Sequence, residues 1–232
     1  MNPTGISRQD FLASPLLLAA GAGPGASPAR AAVTGAVSDA VPFDFDRAAF
    51  AGILDRPFAH RQLAAPATFE LATVAMSHFR NSLEAYADPN GFAAGPKSLH
   101  CAAVLYAGRS LLMVFDDRAY AKYSLGLLAD EEMRPNDTSN RAYWTQLQKN
   151  PMAEFLMPLI AQGVSFFVCN NALTSLSIEI ARRQATNGPL TREAVVAIHN
   201  ELAGRLLPNT MLVPAGVAAV NAAQESRFTF LP

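Results

Sequence analysis

Cysteine is scarce in this chain of 232 residues, which contains only Cys101 and Cys169. Two cysteines are too few for the disulfide framework of a small secreted domain, and they cannot by themselves supply the ligands of a structural zinc site. The four histidines do not stand at the spacing of a helical metal-binding motif. We therefore expect no metal site, and any role for the thiols depends on where each one lies.

Charge is also sparse and balanced. Lys and Arg together number 18 and Asp and Glu 19, so the formal net charge is −1. Without a basic excess to neutralise phosphates, nucleic acid is not an expected partner. Half of the residues are hydrophobic, which excludes the composition of a disordered chain. The sequence therefore predicts a globular protein whose core has an ordinary size.

Long apolar runs are missing as well, so we expect no membrane anchor. Residues 1–32 instead have the form of an export signal, with Arg8 and Phe11 ahead of a short apolar run and Ala29-Arg30-Ala31 as a cleavage site. The segment is similar to a twin-arginine signal in which Gln9 replaces the second arginine. We expect a periplasmic protein; the alternative is a disordered leader that is never exported.

The remainder of the chain divides into an extension and a domain. Residues 33–56 are predicted as a linker and 57–232 as the folded part. Within that part, 99–106 and 164–169 are almost entirely apolar, which is typical of strands buried on both faces. Shorter candidate strands lie at 211–213 and 228–231.

Helical patterns separate these strands. They cover 69–86, 110–123 and 150–163, and further helices begin after Cys169, Thr191 and Pro214. Helices between buried strands require crossover connections. We therefore predict an α/β fold with a mainly parallel sheet that is covered on both faces.

The predicted strand ends offer the candidate binding positions, because open parallel sheets bind ligands beyond the carboxyl ends of their strands. Common signatures of phosphate binding and of serine hydrolases are missing from the sequence. Three strand-to-helix turns fit the expected position of a ligand. They are Ala107-Gly108, Cys169-Asn170-Asn171 and Pro214-Ala215-Gly216.

One of these turns carries a thiol. A cysteine between a strand and a helix start is exposed to the helix dipole and to unpaired backbone N–H groups, which favour the thiolate. Asn170 and Asn171 could cap that helix or donate hydrogen bonds to a sulfur anion. Cys169 is therefore a candidate nucleophile. The alternative is a small buried residue that completes a core strand, as free cysteine often does.

Cys101 is predicted to have a different role. It lies near the start of its strand, so in a parallel sheet it belongs at the opposite end from Cys169, beyond the Cα separation of roughly 7 Å that a disulfide tolerates. We interpret Cys101 as a core residue. One structural disulfide between the two cysteines is the alternative, since the periplasm is oxidising.

Three segments carry a resemblance to a known family. They are Gly163-Val-Ser-Phe-Phe-Val-Cys169-Asn-Asn-Ala, Leu207-Pro-Asn-Thr-Met-Leu-Val-Pro214-Ala-Gly-Val217 and Ala223-Gln-Glu-Ser-Arg-Phe-Thr-Phe230. In this order, from about Arg61 to Phe230, the chain resembles DsrE/DsrF-like proteins. It departs from their pattern at Glu225-Ser226-Arg227, where a glycine is expected before the terminal aromatic strand.

The resemblance implies both a fold and a chemistry. The fold is a flavodoxin-like three-layer α/β/α arrangement around a mainly parallel five-stranded sheet, often assembled into trimers or hexamers. The chemistry is a sulfur relay, in which a cysteine at this strand end carries sulfur as a persulfide and exchanges it with a donor or acceptor. Cys169 matches that cysteine, and no metal or organic cofactor is implied. Many exported members of the family have no known role.

Two alternatives to the sulfur relay remain open at this stage. The same strand-end crevice, with Gly108 and residues 214–216, could bind a small ligand without any thiol chemistry. The chain could also be a structural module that acts through assembly with copies of itself.

Overall fold

A five-stranded parallel sheet forms the centre of the structure, with strand order β4-β3-β2-β1-β5. The computed structural model describes residues 39–92, 98–107, 109–133, 147–185 and 188–231. The predicted export signal, Gly108 and part of the predicted linker therefore lie outside the described residues. The strands are β1 (His60–Ala64), β2 (Leu99–Leu105), β3 (Ser165–Cys169), β4 (Thr210–Val213) and β5 (Thr229–Phe230).

Helices connect the strands and cover both faces of the sheet. The sheet is parallel at every pairing, so the prediction of an α/β fold with a flavodoxin-like three-layer architecture is confirmed. Within the described ranges the chain forms eight α-helices. They are α1 (Arg47–Leu54), α2 (Phe69–Ala87), α3 (Asp117–Tyr123), α4 (Leu125–Met133), α5 (Ala153–Ala161), α6 (Asn170–Gln184), α7 (Arg192–Ala203) and α8 (Gly216–Glu225), together with a 3₁₀ helix at Ser110–Val114.

Alternate residues of the central strands build two separate apolar clusters. In β2, Cys101 and Leu105 belong to the larger cluster, which includes residues of α2 to α7, whereas Val104 belongs to the smaller one with Leu54 of α1 and Ala219 of α8. We call the corresponding sides of the sheet the many-helix face and the two-helix face. Because both are covered, β2 and β3 are buried along their whole length, as their continuous apolar sequences predict.

The order of the strands explains this unequal division. From β1 to β2, β3 and β4 the chain always moves in one direction across the sheet. Right-handed crossovers then put all the intervening helices on the same face. Helix α8 returns from β4 to β5 in the opposite direction, so the same rule puts it on the other face, where Ala219 and Ala223 pack.

Helix starts and stops follow local chemistry, with two differences from prediction. The 110–123 pattern splits into the 3₁₀ helix and α3, because Phe115 bridges to Leu206 and the Asp116 side chain caps α3 at Ala119. Helix α5 begins after Asn150-Pro151, where Asn150 Oδ1 accepts from the Met152 N–H at 2.8 Å in a turn ahead of the helix. The Nδ2 of Asn150 donates to the carbonyls of Met113 and Phe115, both at 2.7 Å.

The amino-terminal segment contributes to the domain. In the described part of the stretch predicted as a linker or N-terminal extension, 33–56, Arg47–Leu54 forms α1 and Val41 is only 1% exposed in the larger cluster. Phe45 and Phe50 pack on the other face, where the Phe50 ring lies 5.0 Å from that of Phe167. The segment therefore crosses from one face of the sheet to the other.

The two cysteines are both buried and free. Cys101 lies on β2 one position before the residue that pairs with Ser165, the first residue of β3, whereas Cys169 is the last residue of that strand. The prediction that they lie at opposite ends of the sheet and do not form a disulfide is confirmed. Burial raises the pKa of the Cys101 thiol to about 12, which is consistent with a core residue.

Candidate functional site

At the carboxyl ends of β3 and β4 the connecting helices change from one face of the sheet to the other. The two strands are neighbours, and Cys169 pairs with Val213. Helix α6 follows Cys169 on the many-helix face, whereas α8 follows β4 on the two-helix face. Two adjacent strands whose following helices diverge leave a crevice at their carboxyl ends, and this is the position at which open α/β sheets bind ligands.

The Cys169 side chain lies on the two-helix face. Side chains alternate along a strand, and Phe167, two residues earlier, belongs to the smaller cluster. On that face Cys169 lies between Val213 of β4 and Tyr106, since Leu105 pairs with Val168 and Tyr106 is the next residue. Cys169 is 4% exposed, yet it is a member of neither apolar cluster of the described residues.

The turn that leads into α8 passes over this thiol. A Cβ added at Gly216 would lie 2.0 Å from the Tyr106 Cβ, so the backbone of Gly216 rests directly on Tyr106. Val213 and Tyr106 flank Cys169 on its two sides, about 10 Å apart, and residues 214–216 bridge them. The structure thus brings Pro214, Ala215 and Gly216 together with Cys169, and it explains why position 216 has no side chain.

Two helix starts without side-chain caps meet at this place. Cys169 itself is the N-cap residue of α6 and Ala215 is that of α8, and in the described part of the chain neither start receives a side-chain hydrogen bond. Four other helices are capped by a side chain, α1, α2, α3 and α7. The free N–H groups and aligned peptide dipoles of helix starts favour negative charge, so the crevice suits an anionic group.

Asn170 has a different role from the one that the sequence suggests. Its Nδ2 donates to the Val41 carbonyl at 2.8 Å, and its Oδ1 accepts from His199 Nε2 at 2.8 Å. Thr174, one turn later, accepts from the Val41 N–H at 3.1 Å. The side chain of Asn170 thus holds the amino-terminal segment against α6 and α7, and these partners occupy the amide that was expected to serve the thiol.

The contact with His199 fixes the orientation of the Asn170 amide and the position of a proton on the His199 ring. Because Asn170 donates through Nδ2, its Oδ1 must be the acceptor and His199 Nε2 must carry a proton. Burial lowers the pKa of His199, and the contact of its Nδ1 with Asn200 Oδ1 at 3.3 Å acts in the opposite direction.

Asn171 lines an open cleft beside the thiol. The cleft has a volume of about 390 Å³ and lies between the end of β2 and the first turns of α6. Its wall includes an ion pair in which Arg109 Nη2 lies 2.7 Å from Glu179 Oε1, and Arg183 contacts the same carboxylate oxygen at 2.7 Å. A volume of this size accommodates a small molecule. The lining residues are Tyr106, Ala107, Arg109, Asn171, Ala172, Ser175, Leu176 and Glu179.

Sequence reasoning missed several residues of this region. Arg109 and Glu179 could have been noticed, because Arg109 follows a strand end and Glu179 stands four residues before Arg183, the spacing of a helical ion pair. No local pattern points to Val41 or His199, which meet through Asn170 from distant parts of the chain. Gly108, a predicted site residue, lies outside the described residues.

The described residues give no sign of a metal site or of a membrane-spanning helix. Among the described residues, no three His, Cys, Asp or Glu side chains are grouped closely enough to hold a metal ion. Over the same residues, none of the helices combines the length and the apolar character that a membrane crossing requires. Comparison of the chain with protein-family models, curated proteins and solved structures gives no match.

Proposed function

We propose that this protein binds sulfur on Cys169 as a persulfide and passes it on, as the resemblance to DsrE/DsrF-like proteins implies. The observation that carries the proposal is the placement of Cys169: it is the last residue of β3, beneath the 214–216 turn and between two helix starts without side-chain caps.

The chemistry requires only the thiol and a sulfur donor. The Cys169 thiolate attacks a terminal sulfur of a polysulfide, a new S–S bond forms, and the adjacent S–S bond of the donor breaks. The electron pair of that bond leaves with the shortened polysulfide. The negative charge that remains on the outer sulfur of the persulfide is stabilised by the N–H groups at the starts of α6 and α8. The proposal includes no metal and no organic cofactor.

The fold supports one further detail of the resemblance. DsrE/DsrF-like proteins are expected to have a glycine before the terminal aromatic strand, where this chain has Glu225-Ser226-Arg227. Arg227 adopts a φ of +67°, a left-handed conformation that glycine adopts at little cost. The backbone at this position is therefore of the kind that favours the missing glycine.

Export and assembly belong to the proposal as well. A periplasmic location, reached through the predicted signal in residues 1–32, separates the protein from cytoplasmic relay partners. Small sulfur compounds or an exported protein then serve as the donor and acceptor. Assembly into a homo-oligomer is consistent with the resemblance.

Limited access to the thiol shapes the expected kinetics. Cys169 is 4% exposed, so a donor reaches it only when the 214–216 turn or a neighbouring segment moves aside. We therefore expect slow loading and a bound sulfur that is protected from solvent once the turn has returned.

Cyanolysis tests the proposal, because cyanide removes the outer sulfur of a persulfide as thiocyanate and leaves the thiol. After exposure to polysulfide and removal of the excess, the wild-type chain and C101S should release thiocyanate, and C169S should release none. Equal release from C169S and wild type would show that the sulfur is carried elsewhere.

Ligand binding without thiol chemistry is the second candidate function. The observation that favours it is the cleft lined by Asn171, Arg109 and Glu179, to which Cys169 does not contribute. In this case thiosulfate should raise the thermal unfolding midpoint of C169S as much as that of the wild type. Stabilisation that is lost in C169S but kept in C101S would instead favour the thiol.

A further inference from the structure

The amino-terminal part of the domain is held beside Cys169. The Val41 N–H donates to Thr174 Oγ1 at 3.1 Å, and the Val41 carbonyl accepts from Asn170 Nδ2 at 2.8 Å. Asn170 is the residue that follows Cys169, the last residue of β3. Val41 therefore lies at the carboxyl end of β3, on the many-helix face. We call residues 39–46 the strap.

The other end of the strap lies on the two-helix face, where Phe45 packs in the smaller cluster and Asp46 caps α1. Helix α1 runs toward the amino end of the sheet, because it leads into β1, which begins there. The Phe50 ring of α1 lies 5.0 Å from that of Phe167, two positions before Cys169 on the same face. Four residues of helix and two residues of strand both span about 6 Å, so the start of α1 is at the level of Cys169.

The path between these two ends is short. Residues 42–44 alone separate Val41 from Phe45, and a chain of this length reaches at most about 14 Å. The strap therefore passes from one face of the sheet to the other beside the carboxyl ends of β3 and β4. This is the crevice between the diverging starts of α6 and α8. The chain's own amino-terminal segment thus lies across the position at which open α/β sheets bind ligands.

From this path we infer that the strap is autoinhibitory: it closes the crevice, and its release is the step that admits a sulfur donor to Cys169. The strap is suited to release, because Val41 is buried at 1% exposure while Ala40, Pro42 and Asp44 are exposed. A segment with few buried contacts opens at a lower free energy than the strands of the sheet. The inference rests on the proposed function, since the thiol beside the strap is the one that carries sulfur.

Alkylation of Cys169 by iodoacetamide, measured on the folded full chain by peptide-resolved mass spectrometry, tests the strap. V41A shortens the side chain that anchors the strap and should speed alkylation at least about 10-fold. V195A is the matched control, because Val195 is buried in the same cluster but lies on α7. Its alkylation rate should stay within about 2-fold of the wild type. Equal acceleration in both variants, or no acceleration in V41A, would overturn the inference.

A second variant tests the strap if V41A fails to fold. T174V keeps the shape of the side chain but leaves the Val41 N–H without its acceptor, and it should speed alkylation at least about 5-fold. T73V is the control, since Thr73 Oγ1 donates to the Phe69 carbonyl within α2 and has no contact with the strap. Alkylation of T174V at the rate of T73V would overturn the inference.

The strap and the sulfur chemistry can fail separately, because alkylation measures access to the thiol and cyanolysis measures bound sulfur. A chain that releases thiocyanate from Cys169, but whose alkylation does not depend on the strap, contradicts only this inference. A strap-dependent alkylation rate without any release of thiocyanate supports the strap and contradicts the proposed function.

Discussion

At the scale of single residues, neighbours in sequence have very different surroundings. Asn170 is 4% exposed and makes hydrogen bonds to Val41 and His199, whereas Asn171 is exposed beside the cleft. The sequence suggests the same role for both. The difference arises because the first turn of α6 directs Asn170 toward α7 and the amino-terminal segment, and Asn171 toward solvent.

The stability of two alanine variants should reflect this difference. Asn170→Ala leaves the Val41 carbonyl and the His199 Nε2–H buried without their partner, which should lower the free energy of unfolding by about 1–3 kcal/mol. Asn171→Ala is the control and should change it by less than about 0.5 kcal/mol. Denaturant unfolding followed by circular dichroism measures both. Equal effects of the two substitutions would contradict the assignment of Asn170 to this network.

A second residue-scale prediction concerns His100, which is 1% exposed and lies 3.2 Å from Ser165 Oγ. Burial, and next the charges of Arg56 and Arg61, lower the pKa of His100 from 6.5 to about 4. Between these two values the unfolded chain binds a proton that the folded chain does not. Protonation of His100 therefore does not affect the free energy of unfolding above pH 6.5. As the pH falls from 6.5 toward about 4, it lowers the free energy of unfolding by up to about 3 kcal/mol.

The pH dependence of unfolding tests this. The wild-type chain should lose stability across this window, and burial gives His199 the same direction of effect. His100→Gln keeps a donor for Ser165 but does not titrate, so its stability should fall less steeply. If the two chains depend on pH in the same way between 6.5 and 4, His100 is not buried as described.

At the scale of elements, four of the five strands could be predicted, and the clearest signals came from the two that are buried on both faces. β2 and β3 consist almost wholly of apolar residues, and their positions follow from composition alone. β1 was not predicted, because Arg61 and Gln62 make it look polar. The two Nη atoms of Arg61 in fact donate to the carbonyls of Ser226 and Arg56 at the amino end of the sheet, while Leu63 and Ala64 are buried.

The candidate site was predictable in part for the same reason. A thiol at a strand end and a glycine after the next strand are local signals, and the parallel sheet brings them together. The partnership of Asn170 with Val41 spans 129 positions in the sequence, and no periodic pattern records such a contact. Tertiary packing determines which of the two asparagine side chains, Asn170 or Asn171, is free of other partners. The sequence alone therefore could not predict this.

The α8 start gives a prediction for an element. Gly216→Ala adds a Cβ that would lie 2.0 Å from the Tyr106 Cβ, so the 214–216 turn must shift away from the sheet, at a cost of about 1–3 kcal/mol. The same shift should uncover Cys169 and speed its alkylation by iodoacetamide. Gly52→Ala is the matched control: it lies in α1 with nothing within 4 Å of the added Cβ, and it should stabilise the chain slightly.

The two measurements separate two explanations. Lower stability together with unchanged alkylation in Gly216→Ala would mean that the turn does not cover the thiol. Faster alkylation in both glycine variants would point to a general loosening instead of a local one.

At the scale of the whole molecule, the direction in which each connection crosses the sheet determines where the Cys169 site lies. Three crossovers in one direction and one return leave β3 and β4 as neighbours with diverging helices, and the only cysteine at a strand end lies there. The second thiol is on the other face at the other end, where burial keeps it protonated. The same topology puts β5 at the far edge of the sheet from β4.

The central claim is that Cys169, and not Cys101, carries sulfur. Peptide-resolved mass spectrometry of the folded full chain after exposure to polysulfide at neutral pH tests it most directly, with the chain unfolded in guanidinium chloride as the control in which both thiols react. Added sulfur should be found on the Cys169 peptide and not on the Cys101 peptide of the folded chain. An unmodified Cys169 peptide in the folded chain, while both thiols of the unfolded control take up sulfur, would contradict the account.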